Sequence, residues 1–209
     1  MKALLNDAIS MTFYSAQDNV PGLDLLPCEF VQQVETSYTQ TRQTELLRSR
    51  ALLISELPHI HPSRILDLDN STPLSFHLPA SLSHKNGHLL LGLFQSPLVH
   101  AAGVDIEVEH AVPEKVFQRI STPSEAALLK SYFGKADNWP TFSFSLKESL
   151  VKMASQSENQ KMRFNQIEMT EISDARIRLK TPFENSIVQW TKGRIEAHGL
   201  LYTACWQLT

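Results

Sequence analysis

The amino-acid order predicts an α+β fold, and two observations carry that expectation. Segments that alternate at the two-residue period of a strand lie at Gly103 to Glu109 and through the last third of the chain, whereas helical spacing governs about 41–57 and the stretch after Thr122. These segments are mixed without the strict strand–helix–strand rhythm of a doubly wound parallel sheet. With 209 residues and 42% hydrophobic content, the chain has material for one large domain or two small fused halves, and too much of it for a disordered segment.

In chain order, residues 1–39 resist assignment, with Pro21-Gly22 and Pro27 marking turns. From Thr41 to Leu57 the recurrence of Leu46, Leu47, Arg50, Ala51 and Ile54 predicts a helix that Pro58 ends. Residues 58–80 read as a long, proline-punctuated connection, a length more typical of binding loops than of filler. Lys85-Asn86-Gly87 signals a turn, and the apolar run from Leu89 to Phe94 suits a buried strand. Thr122-Pro-Ser-Glu125 opens a helix with Thr122 as cap, Pro123 in the first turn and Glu125 closing a capping box; Gly134 stops it. A second helix is expected from about Ser145 to Ala154, led in by Phe142-Ser-Phe144. Strands follow at Arg176 to Lys180, Ile187 to Trp190 and Leu200 to Gln207, with Lys192-Gly193 as a turn between the last two.

Composition removes several classes of function. A net charge of -3, spread over both signs without a block of either, argues against nucleic-acid binding through phosphate contacts. Cys28 and Cys205 stand far apart with no CxxC partner, which points to a reducing compartment. The start, MKALLNDAIS, turns polar too quickly for a signal peptide, and no stretch nears the roughly 20 apolar residues of a membrane span. A cytoplasmic protein without a transmembrane segment is expected.

Two polar clusters stand out. In Gly103-Val-Asp-Ile-Glu107, Asp105 and Glu107 share one strand face about 6–7 Å apart, where like charges repel. A hard cation such as magnesium relieves that conflict; read alone, the pentapeptide is better explained as a solvated strand face, and Glu109 fits that description best. In Phe144-Ser-Leu-Lys-Glu148-Ser-Leu-Val-Lys152, Glu148 and Lys152 lie at i and i+4 on one helix face, with Lys147 beside them. Taken by itself this segment favours a plain helix, with Ser145 and Glu148 as a capping box and Glu148–Lys152 as a surface pair worth a few tenths of a kcal/mol. Ser81-Leu-Ser83-His84-Lys85 sets two hydroxyls, an imidazole and an ammonium at a loop–strand junction, donors suited to phosphate oxygens. Arginines from Arg42 to Arg50 offer bidentate phosphate contacts or merely decorate a surface helix.

The order of these pieces resembles the 4'-phosphopantetheinyl transferase superfamily, over about residues 41–153. Within it the chain is most similar to the enterobactin-synthetase component D branch of the Sfp-type group. The G-V-D-I-E and F-S-x-K-E-S-x-x-K segments, about forty residues apart, are the specific part. The resemblance implies two similar α/β halves, divided at 1–102 and 103–209, with the active site in the cleft between them. It implies a magnesium ion held by Asp105, Glu107 and Glu148, with coenzyme A as co-substrate. Glu148 would serve as general base on the carrier serine, and Lys152 would stabilise or protonate the leaving 3',5'-ADP. Arg50, Ser83, His84, Lys147 and Lys152 would bind coenzyme A. The partner would be an apo acyl or peptidyl carrier protein, in siderophore or other nonribosomal peptide synthesis, and a single chain would suffice as a monomer.

Departures from the family pattern fall on nucleotide contacts rather than on metal or base positions. The segment Thr72-Pro-Leu-Ser-Phe-His-Leu-Pro79 follows it loosely, Ser49-Arg50 replaces glycine-arginine, and Phe144 stands where tryptophan is common. Two rivals are weaker. A magnesium-dependent nucleotide hydrolase finds no glycine-rich phosphate loop among the seven scattered glycines. A non-catalytic module gripping coenzyme A or a carrier has no need of a general base.

Overall fold

The computed structural model describes residues 2–6, 9–68, 80–94, 96–134, 138–183 and 185–208, with side chains from Ile9 onward. The chain opens with strands β1 (Lys2–Asn6) and β2 (Ile9–Tyr14), then helices α1 (Cys28–Ser37), α2 (Gln40–Glu56) and the short α3 (Pro62–Ile65). Strands β3 (Ala80–Lys85) and β4 (His88–Phe94) form a hairpin through the expected Asn86-Gly87 turn. Next come β5 (Val99–Val108), the short α4 (Glu114–Phe117), α5 (Pro123–Phe133) and α6 (Trp139–Ser157). Strands β6 (Glu168–Ile172), β7 (Arg176–Lys180), β8 (Asn185–Ile195) and β9 (Leu200–Leu208) complete it. Pairing is antiparallel throughout two sheets, ordered β1-β2-β4-β3 and β5-β9-β8-β7-β6. The expected α+β class holds. The division expected at 102–103 falls inside β5, whose ladder partner β9 belongs to the second sheet.

Strand alternation sorts the core into layers. Leu46, Leu52 and Leu53 of α2 pack on the Leu89, Leu91 and Leu93 face of β4. The opposite face of that sheet, with Ile9, Met11, Leu90 and Phe94, meets Val104 and Ile106 of β5 and Leu200 and Trp206 of β9. On the far side of the second sheet, Leu146, Leu150 and Met153 of α6 cover Leu179, Val188, Trp190 and Cys205. The order is therefore helix, sheet, sheet, helix. It explains why 89–94 is an unbroken apolar run, since β4 is buried on both faces.

Several expectations need correction. Residues 1–39 hold a β-hairpin and a helix, and β6 had no clear sequence signal. Residues 72–79 lie outside the described residues. Helix α6 starts at Trp139, six residues before the expected position, with Pro140 in its first turn where a missing N–H costs nothing. Ser145 is therefore no cap: its hydroxyl meets Thr203 Oγ1 at 3.0 Å, and Ser149 reaches the same atom at 2.7 Å, tying the helix to β9. Lys192-Gly193 is not a turn but the middle of β8; the chain turns instead through a 3-10 segment, Glu196–His198, and Gly199. Gly193 lies under the Tyr202 ring, where a Cβ would stand 2.5 Å from its atoms, and Lys192 Nζ sits 4.4 Å from the Phe133 ring centroid. Cross-strand aromatics thus override a local turn preference.

Cys205 is buried, and burial lifts its thiol far above the ordinary range; Cys28 is exposed. Native protein should therefore titrate one thiol with a disulfide reagent and two after denaturation, and rapid reaction of both in the native state would contradict this packing. Among the described residues no helix is long and apolar enough to cross a membrane.

Candidate active site

Where the faces of the two sheets pack, β3, an edge strand of the first, lies against β5, an edge strand of the second. Side chains at alternate positions of β3 reach across in series. Ser81 Oγ accepts the Val104 N–H at 3.0 Å, Ser83 Oγ donates to Asp105 Oδ1 at 2.8 Å, and Lys85 Nζ lies 2.6 Å from Glu107 Oε2. The Ser81 to Lys85 segment, expected at a loop–strand junction, is thus a strand, and the two-residue step from Ser83 to Lys85 matches that from Asp105 to Glu107 on β5. Asp105 and Glu107 are only 4% and 7% exposed, so their strand face is not solvated. Glu109 instead pairs with Arg194 Nε at 3.1 Å near the surface.

Helix α6 closes the other side of β5. Gly103 permits this approach, because a Cβ there would run into the Ser149 carbonyl oxygen and crowd the Met153 backbone nitrogen at 3.0 Å. Gly103→Ala must push helix from strand, and neither backbone can yield cheaply. Its expected cost is about 2–3 kcal/mol in chemical denaturation; a variant as stable as the parent would show that the helix does not press on the strand.

That contact sets Lys152 over β5, where its ammonium donates to the Val104 carbonyl at 3.0 Å and to Asp105 Oδ1 at 2.8 Å. Asp105 Oδ1 thus accepts from both Lys152 and Ser83, while Oδ2 is buried with no hydrogen-bond partner. One turn before Lys152 stands Glu148, half-buried. Burial holds its carboxyl above the usual carboxylate range, Lys152 opposes this, and the charges of Asp105 and Glu107 push it higher. Glu107 is likewise raised, first by burial, then by Asp105, against the pull of Lys85. The helix acid and the strand pair therefore share one electrostatic neighbourhood. Among the described residues no three His, Cys, Asp or Glu side chains are gathered as a ready-made metal cage; lysines engage two of the acids instead.

Basic groups flank the carboxylates. Arg42 Nη1 lies 3.2 Å from His84 Nε2, and His84 Nδ1 lies 3.3 Å from Glu45 Oε1. A guanidinium only donates, so Nε2 carries the lone pair and Nδ1 the proton. Burial, reinforced by Arg42 and Lys152, lowers the His84 pKa and favours this neutral ring. Arg50, facing the charge of Arg42, is so buried that its pKa falls to about 10. Arg50 Nη2 donates to the Asp67 carbonyl at 3.1 Å, and its buried Nε has no partner. Arg42 and Glu45 were missed as individual site residues, because the i, i+3 spacing of an ordinary surface pair does not say which helix face meets β3.

Lys147 departs from expectation. Its neighbour faces β5, but 100° further round α6 its own side chain enters the core with no exposed surface. The ammonium lies 2.6 Å from both oxygens of Glu125 and donates to the Ile167 carbonyl. Glu125, expected only to close a capping box, also accepts the Met169 N–H at 3.1 Å, while Thr122 Oγ1 caps α5 by accepting the Glu125 N–H at 3.2 Å. With three acceptors at three N–H bonds, Lys147 keeps no donor for a phosphate.

Residues 101–205, about half of the chain, match the family model described as the 4'-phosphopantetheinyl transferase superfamily. None of the curated proteins matches the chain. The matched segment runs from β5 to β9 and includes Asp105, Glu107, Glu148 and Lys152, but not Arg50, Ser83 or His84.

Proposed function

Because the chain belongs to the 4'-phosphopantetheinyl transferase superfamily, it is a transferase of the phosphopantetheine group, and we propose that it loads that group from coenzyme A onto a serine of an apo carrier protein. The observation that carries this reading is Asp105, buried with one oxygen on Lys152 and Ser83 and the other unpartnered, within the field of Glu148. Asp105, Glu107 and Glu148 are the hard oxygen donors that magnesium takes, and the unpartnered Oδ2 fits a cation. When bound, the ion would neutralise the charge of the diphosphate.

The chain's own residues would do the rest. Glu148 takes the proton of the carrier serine as its oxygen attacks the phosphorus that bears the pantetheine arm. The new serine O–P bond forms as the bond to 3',5'-ADP breaks, which needs positioning and charge neutralisation more than covalent catalysis. Lys152 would stabilise or protonate the departing phosphate. Arg50, with its free buried Nε, and His84, backed by Arg42, would hold the nucleotide end. Ser83 would act chiefly by orienting Asp105. The branch resemblance favours a siderophore or other nonribosomal peptide carrier, loaded in the cytoplasm by a monomer.

Mass spectrometry of a panel of apo carriers incubated with the protein, coenzyme A and magnesium should show one added phosphopantetheine on at least one nonribosomal carrier. Chelation should reduce loading to background. Loading that persists without divalent ions would remove the metal from this reading; release of 3',5'-ADP without a modified carrier would favour a hydrolase.

A further inference from the structure

We propose that Lys85 is a tethered counter-cation that competes with the divalent ion for Glu107, so that the metal is held chiefly by Asp105 and Glu148. This inference rests on the reading above that a divalent ion binds these acids. Lys85 is not a chance surface partner. It is the third member of the series in which Ser81, Ser83 and Lys85, two residues apart on β3, meet Val104, Asp105 and Glu107 of β5. Its backbone is fixed by pairing with His88 across the hairpin turn, so the side chain leaves a rigid strand end toward a fixed carboxylate. The Glu107 side chain is 9% exposed and the ammonium stands 2.6 Å from its Oε2.

The two strand acids differ in what their lysines leave open. Asp105 receives both of its donors on Oδ1 and keeps Oδ2 unpartnered, so a cation can arrive without displacing Lys152. The buried Oε2 of Glu107 likewise forms no aligned hydrogen bond, but it is the atom that the Lys85 ammonium contacts at 2.6 Å, so a metal arriving there must share that oxygen with Lys85 or expel it. An ammonium on a stem cannot dissociate into solvent, so it competes at a concentration set by its tether. The lysine thereby sets how much divalent ion the free protein holds before coenzyme A supplies its phosphates.

The test is binding of manganese alone, followed by electron paramagnetic resonance on the full chain without coenzyme A. Lys85→Met and Lys85→Gln should each bind about fivefold tighter than the parent, as expected for removing a partly exposed competing pair of ~1 kcal/mol. Glu107→Gln should change the parent's affinity less than about twofold, yet erase the gain when combined with Lys85→Met. Unchanged or weaker binding in both lysine variants overturns the proposal, as does a roughly tenfold loss from Glu107→Gln in the parent. Asp105→Asn separates this from the underlying reading. If it abolishes manganese binding while the lysine variants gain nothing, only the role of Lys85 fails. Manganese binding that ignores Asp105→Asn, or that is absent from the parent, sinks both.

Discussion

Glu148→Gln is expected to lower carrier loading by about a thousandfold, within the 10²–10⁴ range of positioned general bases, while leaving the fold intact. The substitution keeps side-chain shape and one acceptor oxygen but removes the basic site. Half-buried beside Asp105 and Glu107, the carboxyl is held above its ordinary range by burial and by their charge, which makes it a better proton acceptor than a solvated glutamate. A neutral amide relieves the like-charge repulsion, so thermal stability should stay level or rise slightly. Single-turnover loading followed by mass spectrometry gives the rate and a thermal melt gives the stability. A variant within tenfold of the parent rate would remove Glu148 from the chemistry. A variant that is slow because it is unfolded would show instead that the acid is structural.

Lys147→Met should cost about 3–5 kcal/mol of stability, the usual penalty for breaking a buried pair from one side. For a chain of this length that is a fall of about 10 °C in melting temperature. The lysine and Glu125 have no exposed side-chain surface. Burial raises the pKa of Glu125 and lowers that of Lys147, and each partner's charge opposes the other's shift. Removing the ammonium strands a carboxylate in the core and leaves the Ile167 carbonyl without its donor. Lys147→Met/Glu125→Gln should recover most of the loss, since the amide is neutral and can still accept the Met169 N–H. A double variant as unstable as the single one would argue against a stranded charge. At a temperature where Lys147→Met remains folded, its KM for coenzyme A should stay within about twofold of the parent, since the lysine has no donor left for phosphate. A KM raised tenfold with normal stability would restore the phosphate contact that the family resemblance implies.

The two clusters show how far the letters reach. The alternation of Val104, Ile106 and Val108 with Asp105 and Glu107 was enough to expect a strand with its carboxylates on one face. The i, i+4 spacing likewise aligned Glu148 with Lys152. Both readings describe periodicity, which the backbone enforces locally. Helix boundaries were less legible. Ser145 looks like a capping residue, but its hydroxyl bonds to Thr203, 58 positions away, as does that of Ser149, 54 positions away. Tyr202 over Gly193 similarly keeps β8 extended where the dipeptide alone suggests a turn.

What the order of residues determined by itself was the chemistry available: three acids, their lysines and the elements that carry them. Only the packing of β3 and α6 on either side of β5 decided which charge meets which. It sent Lys152 and Ser83 to the same oxygen of Asp105, Lys85 to Glu107, and Lys147 away into the core with Glu125. A local period fixes the face on which a side chain emerges. Its partner lies 22 to 47 residues distant in these pairs, and contacts over such separations exist only once the layers have closed.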